Sequence, residues 1–219
     1  MMVLNAYAGL GGNRKHWHGV NVVAVEQDPT IAEVYQELYP DDEIVVGDAH
    51  DYILNNFKDF NFIWSSPPCQ RNSKMDLANY RNAPRYADLR LYEEQILLNT
   101  YFDGLFVIEN VKPYYKPLIR SKDIGRHAFW ANFHFEAFDV PRLADFINLN
   151  TNGEKQKLMD WLGIQYDKNI YYAGNHCPLQ VLRNCVHPKL GLQIFEQAMA
   201  KIEGRPVAIM SDPMQQSLI

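Results

Sequence analysis

Two residues in the 219-residue chain have the types and settings that break and make bonds. Cys69 lies in Ser65-Ser66-Pro67-Pro68-Cys69-Gln70, just after an apolar run. The proline pair stiffens that loop and keeps helix from starting before the cysteine, so the thiol is held out at a fixed place. Arg71 and Lys74 follow closely and are expected to favour a thiolate. Glu109 opens Glu109-Asn110-Val111 at the end of a later apolar run, where partial burial would raise the carboxyl pKa and let it donate a proton. A thiolate beside a proton donor is the equipment of covalent catalysis.

A second set of residues fits a nucleotide-like ligand. Tyr7-Ala8-Gly9-Leu10-Gly11-Gly12 follows the first apolar run, and its glycines let backbone approach a ligand without a Cβ in the way. Glu26, at the end of the second run, is placed to take both hydroxyls of a ribose. Asp48, just past the third, is placed to accept from an adenine amino group. Together they point to an adenosine pocket, though spacing alone does not separate a nicotinamide dinucleotide from S-adenosylmethionine. Asp28 before Pro29 reads as a helix N-cap. His176, Cys177, Cys185 and His187 fit no common zinc spacing, so no metal is expected. His16-Trp17-His18 reads as the exposed end of a first helix.

These residues need a frame that brings them together. Residues 2–6, 20–25, 43–46, 60–64 and 104–108 are short apolar runs that read as buried strands. Residues 29–38 and 88–102 read as helices, the second with Leu89, Tyr92 and Ile96 on its inner face. Strand and helix in alternation predict an α/β fold, a mostly parallel sheet with helices on both faces. Residues 128–138 alternate aromatics as a strand pair at the sheet edge would. Residues 154–162 form a short helical candidate inside an aperiodic stretch, and residues 189–202 place Leu190, Ile194, Ala198 and Ile202 on one helical face. The expected organisation is a core at 1–138, a small insertion at 139–182, a helix returning to the core at 183–203 and a tail at 204–219.

Composition narrows the function classes. With 47% hydrophobic and 21% charged residues the chain is not disordered, and it has no apolar run long enough for a membrane span. Residues 1–13 lack the basic start of an export signal, and three cysteines are too few for a disulfide framework. A soluble, cytoplasmic protein is expected, in a bacterial or phage-infected cell. The net charge of -5 argues against bulk coating of nucleic acid, yet the charge is unevenly spread. Residues 71–90 carry Arg71, Lys74, Arg81, Arg85 and Arg90 against Asp76 and Asp88, a net of +3. Residues 112–126 carry Lys112, Lys116, Arg120, Lys122 and Arg126 against Asp123, a net of +4. Both stretches follow the candidate catalytic loops, where a polyanionic substrate would be gripped.

Taken in order, Tyr7 to Gly12, Glu26, Asp48, Pro67-Pro68-Cys69-Gln70 and Glu109-Asn110-Val111 resemble the DNA cytosine-5 methyltransferases. That family usually has Phe where Tyr7 stands, Asp where Asn5 stands and Gly-Phe-Ser after the nucleophile, where this chain has Arg71-Asn72-Ser73. Gly125-Arg126-His127-Ala128-Phe129 looks like a worn Gln-x-Arg-x-Arg block, and Arg183-Asn184-Cys185-Val186-His187-Pro188 is similar to the late Gly-Asn-x-Val-x-Pro block. The resemblance implies a Rossmann-like methyltransferase fold and S-adenosylmethionine as cofactor. It makes Cys69 the nucleophile at carbon-6 of a flipped-out cytosine, Glu109 the group at ring nitrogen 3, and Arg126 the holder of the base. Pro67, Asn184 and Val186 would join the glycine turn, Glu26 and Asp48 around the cofactor.

The resemblance also marks a shortage. The family's target-recognition region would have to fit into about 45 residues, too few for a large reader. Three readings stay open: a very short DNA target, a partner chain that supplies recognition, or RNA such as tRNA in place of DNA. A catalytically silent, nucleic-acid-binding relative is the alternative from another class.

Overall fold

Strands with apolar residues on both faces form the middle of a seven-stranded sheet in the computed structural model, which describes residues 1–140, 143, 152–172 and 177–206. The strands are β1 (Met2–Ala6), β2 (Asn21–Glu26), β3 (Glu43–Val46), β4 (Phe62–Ser65), β5 (Leu105–Val111), β6 (Lys122–Ile124) and β7 (His127–Ala131). Their order is β3-β2-β1-β4-β5-β7-β6, and all are parallel except β7, which runs against β5 and β6. This is the Rossmann-like arrangement expected of an S-adenosylmethionine-dependent methyltransferase.

Alternation of side chains sorts the core into two layers. Val3, Phe62, Trp64 and Val107 face α7 (Pro188–Ile202), where Leu190, Ile194 and Ala198 are buried as expected and Ile202 is exposed. Leu4, Ile63, Phe106 and Ile108 face the other side, covered by α2 (Ala49–Asn56) and α4 (Arg90–Tyr101). Between β2 and β3, α1 (Pro29–Leu38) is capped by Asp28, whose carboxylate accepts from Thr30 N and Ile31 N at 2.9 and 3.2 Å.

Several expectations need correction. No helix joins β1 to β2: residues 8–17 form successive turns, with Gly11 N, Arg14 N and Trp17 N each donating three residues back. Trp17 is therefore not exposed but is 1% accessible, stacked on Phe195 with ring centroids 4.7 Å apart. The inner face of α4 is set by Leu91, Tyr92, Gln95 and Leu98, leaving Leu89 and Ile96 in solvent. The edge strand pair lies earlier than expected, at β6 and β7, because the chain reverses at Gly125, whose φ is +55°. Phe133 and Phe135 follow in a loop, buried against the first layer.

Beyond the edge strands come α5 (Asn152–Leu162) and α6 (Leu179–Asn184), and the short α3 (Lys74–Asn79) follows Cys69. Residues of the expected insertion do not stand apart from the core: Leu158, Leu162, Ile164 and Ile170 share one apolar cluster with Leu10, Ile31 and Val34. No helix among the described residues is long and apolar enough to cross a membrane. The expected tail from 207 on lies outside the described residues.

Candidate active site

Because β1, β2, β4 and β5 are parallel, the loops at their carboxyl ends share one edge of the sheet. A cleft of about 570 Å³ opens there. It is lined by Tyr7, Ala8, Gly9, Leu10, Gly12, Glu26, Pro67, Cys69, Glu109, Arg126, Asn184 and Val186, all read from the sequence as site residues. Gly11 and Asp48 are not among its lining.

The cofactor side of the cleft is built around Glu26. Its Oε2 accepts from Gly9 N at 2.8 Å and its Oε1 from Asp28 N at 3.0 Å, so one carboxylate fixes both the glycine turn and the entry to α1. Burial pushes the Glu26 pKa up, and the backbone N–H groups pointing at it work in the other direction. The turn needs left-handed backbone at Tyr7, Gly9 and Gly11, where φ is 57°, 54° and 65°. Tyr7, unusual there as a non-glycine residue, is anchored by its hydroxyl, which donates to Glu94 Oε1 at 2.6 Å. Gly12 lies against the late block: a Cβ there would sit 2.4 Å from Val186 O and 2.9 Å from Cys185 Cβ.

Two of the expected contacts have structural work instead. Gly11 faces α1, where an added Cβ would meet the rings of Tyr39 and Tyr35 at 2.5 and 2.7 Å. Asp48 caps α2, with its Oδ1 accepting from His50 N at 2.8 Å. Tyr172 went unnoticed in the sequence: it lines the cleft, its hydroxyl 3.8 Å from where a Gly9 Cβ would stand. Burial and the neighbouring Glu26 carboxylate push that hydroxyl's pKa up. It lies in an aperiodic segment, and nothing in its sequence setting pointed to it.

The candidate catalytic side is formed by the β4 and β5 ends. Cys69 leads into a short 3-10 turn, Gln70–Asn72, and the whole loop is held by Asn110, whose side chain donates to Pro67 O at 2.9 Å. Contrary to expectation, the thiol is not poised as a thiolate. Burial and the Glu109 carboxylate push its pKa up to about 11, with Arg126 as the opposing cation. Arg71 and Lys74 are exposed beyond it and are not among the groups that set the thiol pKa. Glu109, 7% accessible, sits within β5, and its Oε1 lies 2.6 Å from His127 Nδ1 on the adjacent β7. Arg126 donates from Nη2 to Cys185 O at 2.9 Å and from Nε to His127 Nε2 at 3.2 Å. Asn184 closes α6 at the cleft, its Oδ1 accepting from Gln180 at 2.6 Å.

The basic stretches are partly neutralised. Arg85 pairs with Asp76, Arg90 with Asp88 at 2.7 Å, Lys112 with Asp123 at 3.7 Å and Lys122 with Glu136 at 3.1 Å. Among the described residues Arg71, Lys74, Arg81, Lys116 and Arg120 are exposed and make no ion pair within 4.0 Å. For the residues weighed as metal ligands, Cys185 donates to Val181 O at 3.4 Å and His187 caps α7, while His176 lies outside the described residues. Among the described residues no group of three or more metal-ligating side chains gathers.

The profile of C-5 cytosine-specific DNA methylases matches residues 1–118, and the chain belongs to that family. No curated protein matches it. Similar solved structures include a hypothetical protein of Thermus thermophilus, 22% identical with a TM-score of 0.41, covering 64% of this chain and 75% of that one. Others are a Spodoptera frugiperda DNMT2 variant, 21% identical over 51% of this chain and 35% of that one with a TM-score of 0.36, and a putative DNA modification methyltransferase encoded within an Escherichia coli prophage, 21% identical over 53% of this chain and 33% of that one, also with a TM-score of 0.36.

Proposed function

We propose that this chain transfers a methyl group from S-adenosylmethionine to carbon-5 of cytosine in DNA, through a covalent bond between Cys69 and the base. The observation that carries the reading is that Cys69, Glu109, the glycine turn and Glu26 all line one cleft. The residues fit the cofactor: Gly9 leaves backbone bare, with nothing nearer to an added Cβ than the Tyr172 hydroxyl at 3.8 Å, and Glu26 presents a buried carboxylate beside it. Glu26 and the turn from Tyr7 to Gly12 would hold it, with Pro67, Asn184 and Val186 closing around it. S-adenosylmethionine, when bound, supplies an electrophilic methyl group.

The protein's own residues do the rest. A cytosine inside a duplex cannot enter the cleft, so the base is flipped out, at a cost of a few kcal/mol. The thiol must lose a proton and ring nitrogen 3 must gain one. Movement of the Cys69 proton to Glu109 serves both needs: it leaves a thiolate, removes the negative charge that raised the thiol pKa, and makes Glu109 an acid. Sulfur then bonds to carbon-6 as Glu109 protonates nitrogen 3, and carbon-5 becomes the nucleophile that takes the methyl group. Loss of the carbon-5 proton to solvent breaks the sulfur–carbon bond and expels Cys69 as the thiolate; nitrogen 3 returns its proton to Glu109, from which it passes back to Cys69. Arg126 stays beside the thiolate as its cation and holds the base.

Arg71, Lys74, Arg81, Lys116 and Arg120, exposed and without ion pairs, would grip phosphates, with Arg85, Lys112 and Lys122 joining them only where a phosphate displaces their carboxylate partners. The test is a covalent trap. Oligonucleotides containing 5-fluorocytosine, as DNA and as RNA, are mixed with the protein and S-adenosylmethionine. Wild type should cross-link to DNA and Cys69→Ala should not. Cross-linking to RNA alone would move the substrate to RNA, and no adduct on either would leave a silent nucleic-acid-binding protein. Calorimetry should show S-adenosylmethionine binding that Glu26→Ala weakens, whereas tight binding of a nicotinamide dinucleotide would overturn the cofactor.

A further inference from the structure

The contact between His127 and Glu109, both lining the cleft, is short at 2.6 Å and lies outside the roles assigned above. Both residues are nearly sealed, at 6% and 7% accessible, and their side chains meet at 2.6 Å across the β5–β7 pair. Behind the imidazole, Arg126 Nε donates to Nε2 at 3.2 Å. A guanidinium nitrogen only donates, so Nε2 must be the bare, accepting nitrogen. The ring proton then sits on Nδ1 and is donated to Glu109 Oε1. Arg126 is itself tied down by its bond to Cys185 O at 2.9 Å, so the chain of contacts starts on the late block and ends on the carboxyl group.

We propose that His127 is the positioning residue of the reaction, resting on the methyl-transfer reading: as a neutral imidazole locked in the Nδ1–H form by Arg126, it fixes Glu109. One carboxyl oxygen is occupied by the imidazole N–H, so the other is the one that takes up and passes on the proton for the base. A second consequence concerns charge. The neutral ring supplies the hydrogen bond without placing a full positive charge beside the carboxyl group. Sequence reading placed the base-holding role on Arg126 and passed over its neighbour, because the pairing that brings His127 onto Glu109 belongs to the β7 reversal.

Two measurements test this on the full chain. The first needs no substrate: ¹⁵N NMR of histidine-labelled protein, with His127→Asn to assign the signal, should show His127 protonated at Nδ1 and bare at Nε2 near neutral pH. An Nε2–H ring would overturn the proposal. The second compares single-turnover methyl transfer to a cytosine oligonucleotide. His127→Ala should lose about 100-fold in rate with S-adenosylmethionine affinity unchanged. His127→Asn, whose side-chain amide can place an N–H where Nδ1–H stands, should recover to within about tenfold of wild type. Wild-type rate in His127→Ala would overturn the role, as would His127→Asn being no faster than His127→Ala while both still bind S-adenosylmethionine. If the wild-type chain forms neither methylcytosine nor a 5-fluorocytosine adduct, the functional reading fails and the positioning role falls with it, even with the tautomer in place.

Discussion

Asn110 Nδ2 donates to Pro67 O at 2.9 Å, a bond that ties the end of β5 to the loop bearing Cys69. The same side chain accepts from Val111 N at 3.0 Å, and Asn110 is 1% accessible. The loop bearing Cys69 and the strand bearing Glu109 are thereby tied to each other. Asn110→Ala removes both bonds and leaves buried groups without partners, at a cost of about 1–3 kcal/mol. Urea unfolding should show that loss. In single-turnover assays the variant should slow methyl transfer far more than it weakens S-adenosylmethionine binding, because the loop it frees carries Cys69, the proposed nucleophile.

The Cys69 thiol supplies a pH test. With its pKa pushed to about 11, on the order of one thiol in a thousand is ionised at pH 8. Alkylation by iodoacetamide, followed at the Cys69 peptide by mass spectrometry, should therefore be slow at pH 8 and rise steadily toward pH 11. Glu109→Gln removes the negative charge that raises the pKa, so alkylation at pH 8 should speed up severalfold. Arg126→Ala removes the opposing cation and should slow it. A rate already at its plateau at pH 8 in wild type would contradict this account of the site.

Tyr7 departs from the family's usual Phe, and its hydroxyl has a partner that explains why it is kept. Glu94, 1% accessible, receives Tyr7 at 2.6 Å, Ser65 at 2.6 Å and His50 at 3.0 Å. The carboxylate thus links the glycine turn, the end of β4 and the start of α2. Tyr7→Phe keeps the ring and removes one donor from a buried charge, which should cost about 1.5–3 kcal/mol. The His50 pKa is raised, chiefly by its bond to Glu94. Its stabilising contribution is fully present below the unfolded pKa and is lost as pH rises through the raised folded value. Denaturation midpoints should accordingly fall across that window in wild type and much less in His50→Gln.

What could be read from the sequence was set by physics local to the chain. The first five strands were legible because a sheet covered on both faces leaves continuous apolar runs such as Val22 to Val25. The Pro-Pro-Cys loop and Glu-Asn-Val end could be placed at one cleft because each follows an apolar run that becomes a parallel strand. The inner face of α4 was misread because Glu94 is a charge turned inward, which an apolar count scores as outward. Trp17 was misplaced because a run of turns has no period to follow. His127 and Tyr172 stayed hidden because their roles depend on strand pairing and on a loop folding back, neither of which leaves a local pattern.

The basic surface makes a graded prediction about nucleic acid. Arg90 and Arg85 spend their charge on Asp88 and Asp76, whereas Arg71, Lys74, Lys116 and Arg120 are exposed without such pairs. Each phosphate contact contributes roughly 0.9 to the slope of log affinity against log salt on duplex DNA. If Lys116 and Arg120 meet phosphates, the double variant Lys116→Gln, Arg120→Gln should flatten that slope by about 1.8 and weaken binding evenly across sequences. Arg90→Gln should leave the slope within about 0.3 of wild type, because removing a guanidinium already paired with Asp88 frees no phosphate contact. Fluorescence anisotropy at several salt concentrations measures all three. Equal slopes for wild type and the double variant would place the phosphate path elsewhere on the molecule.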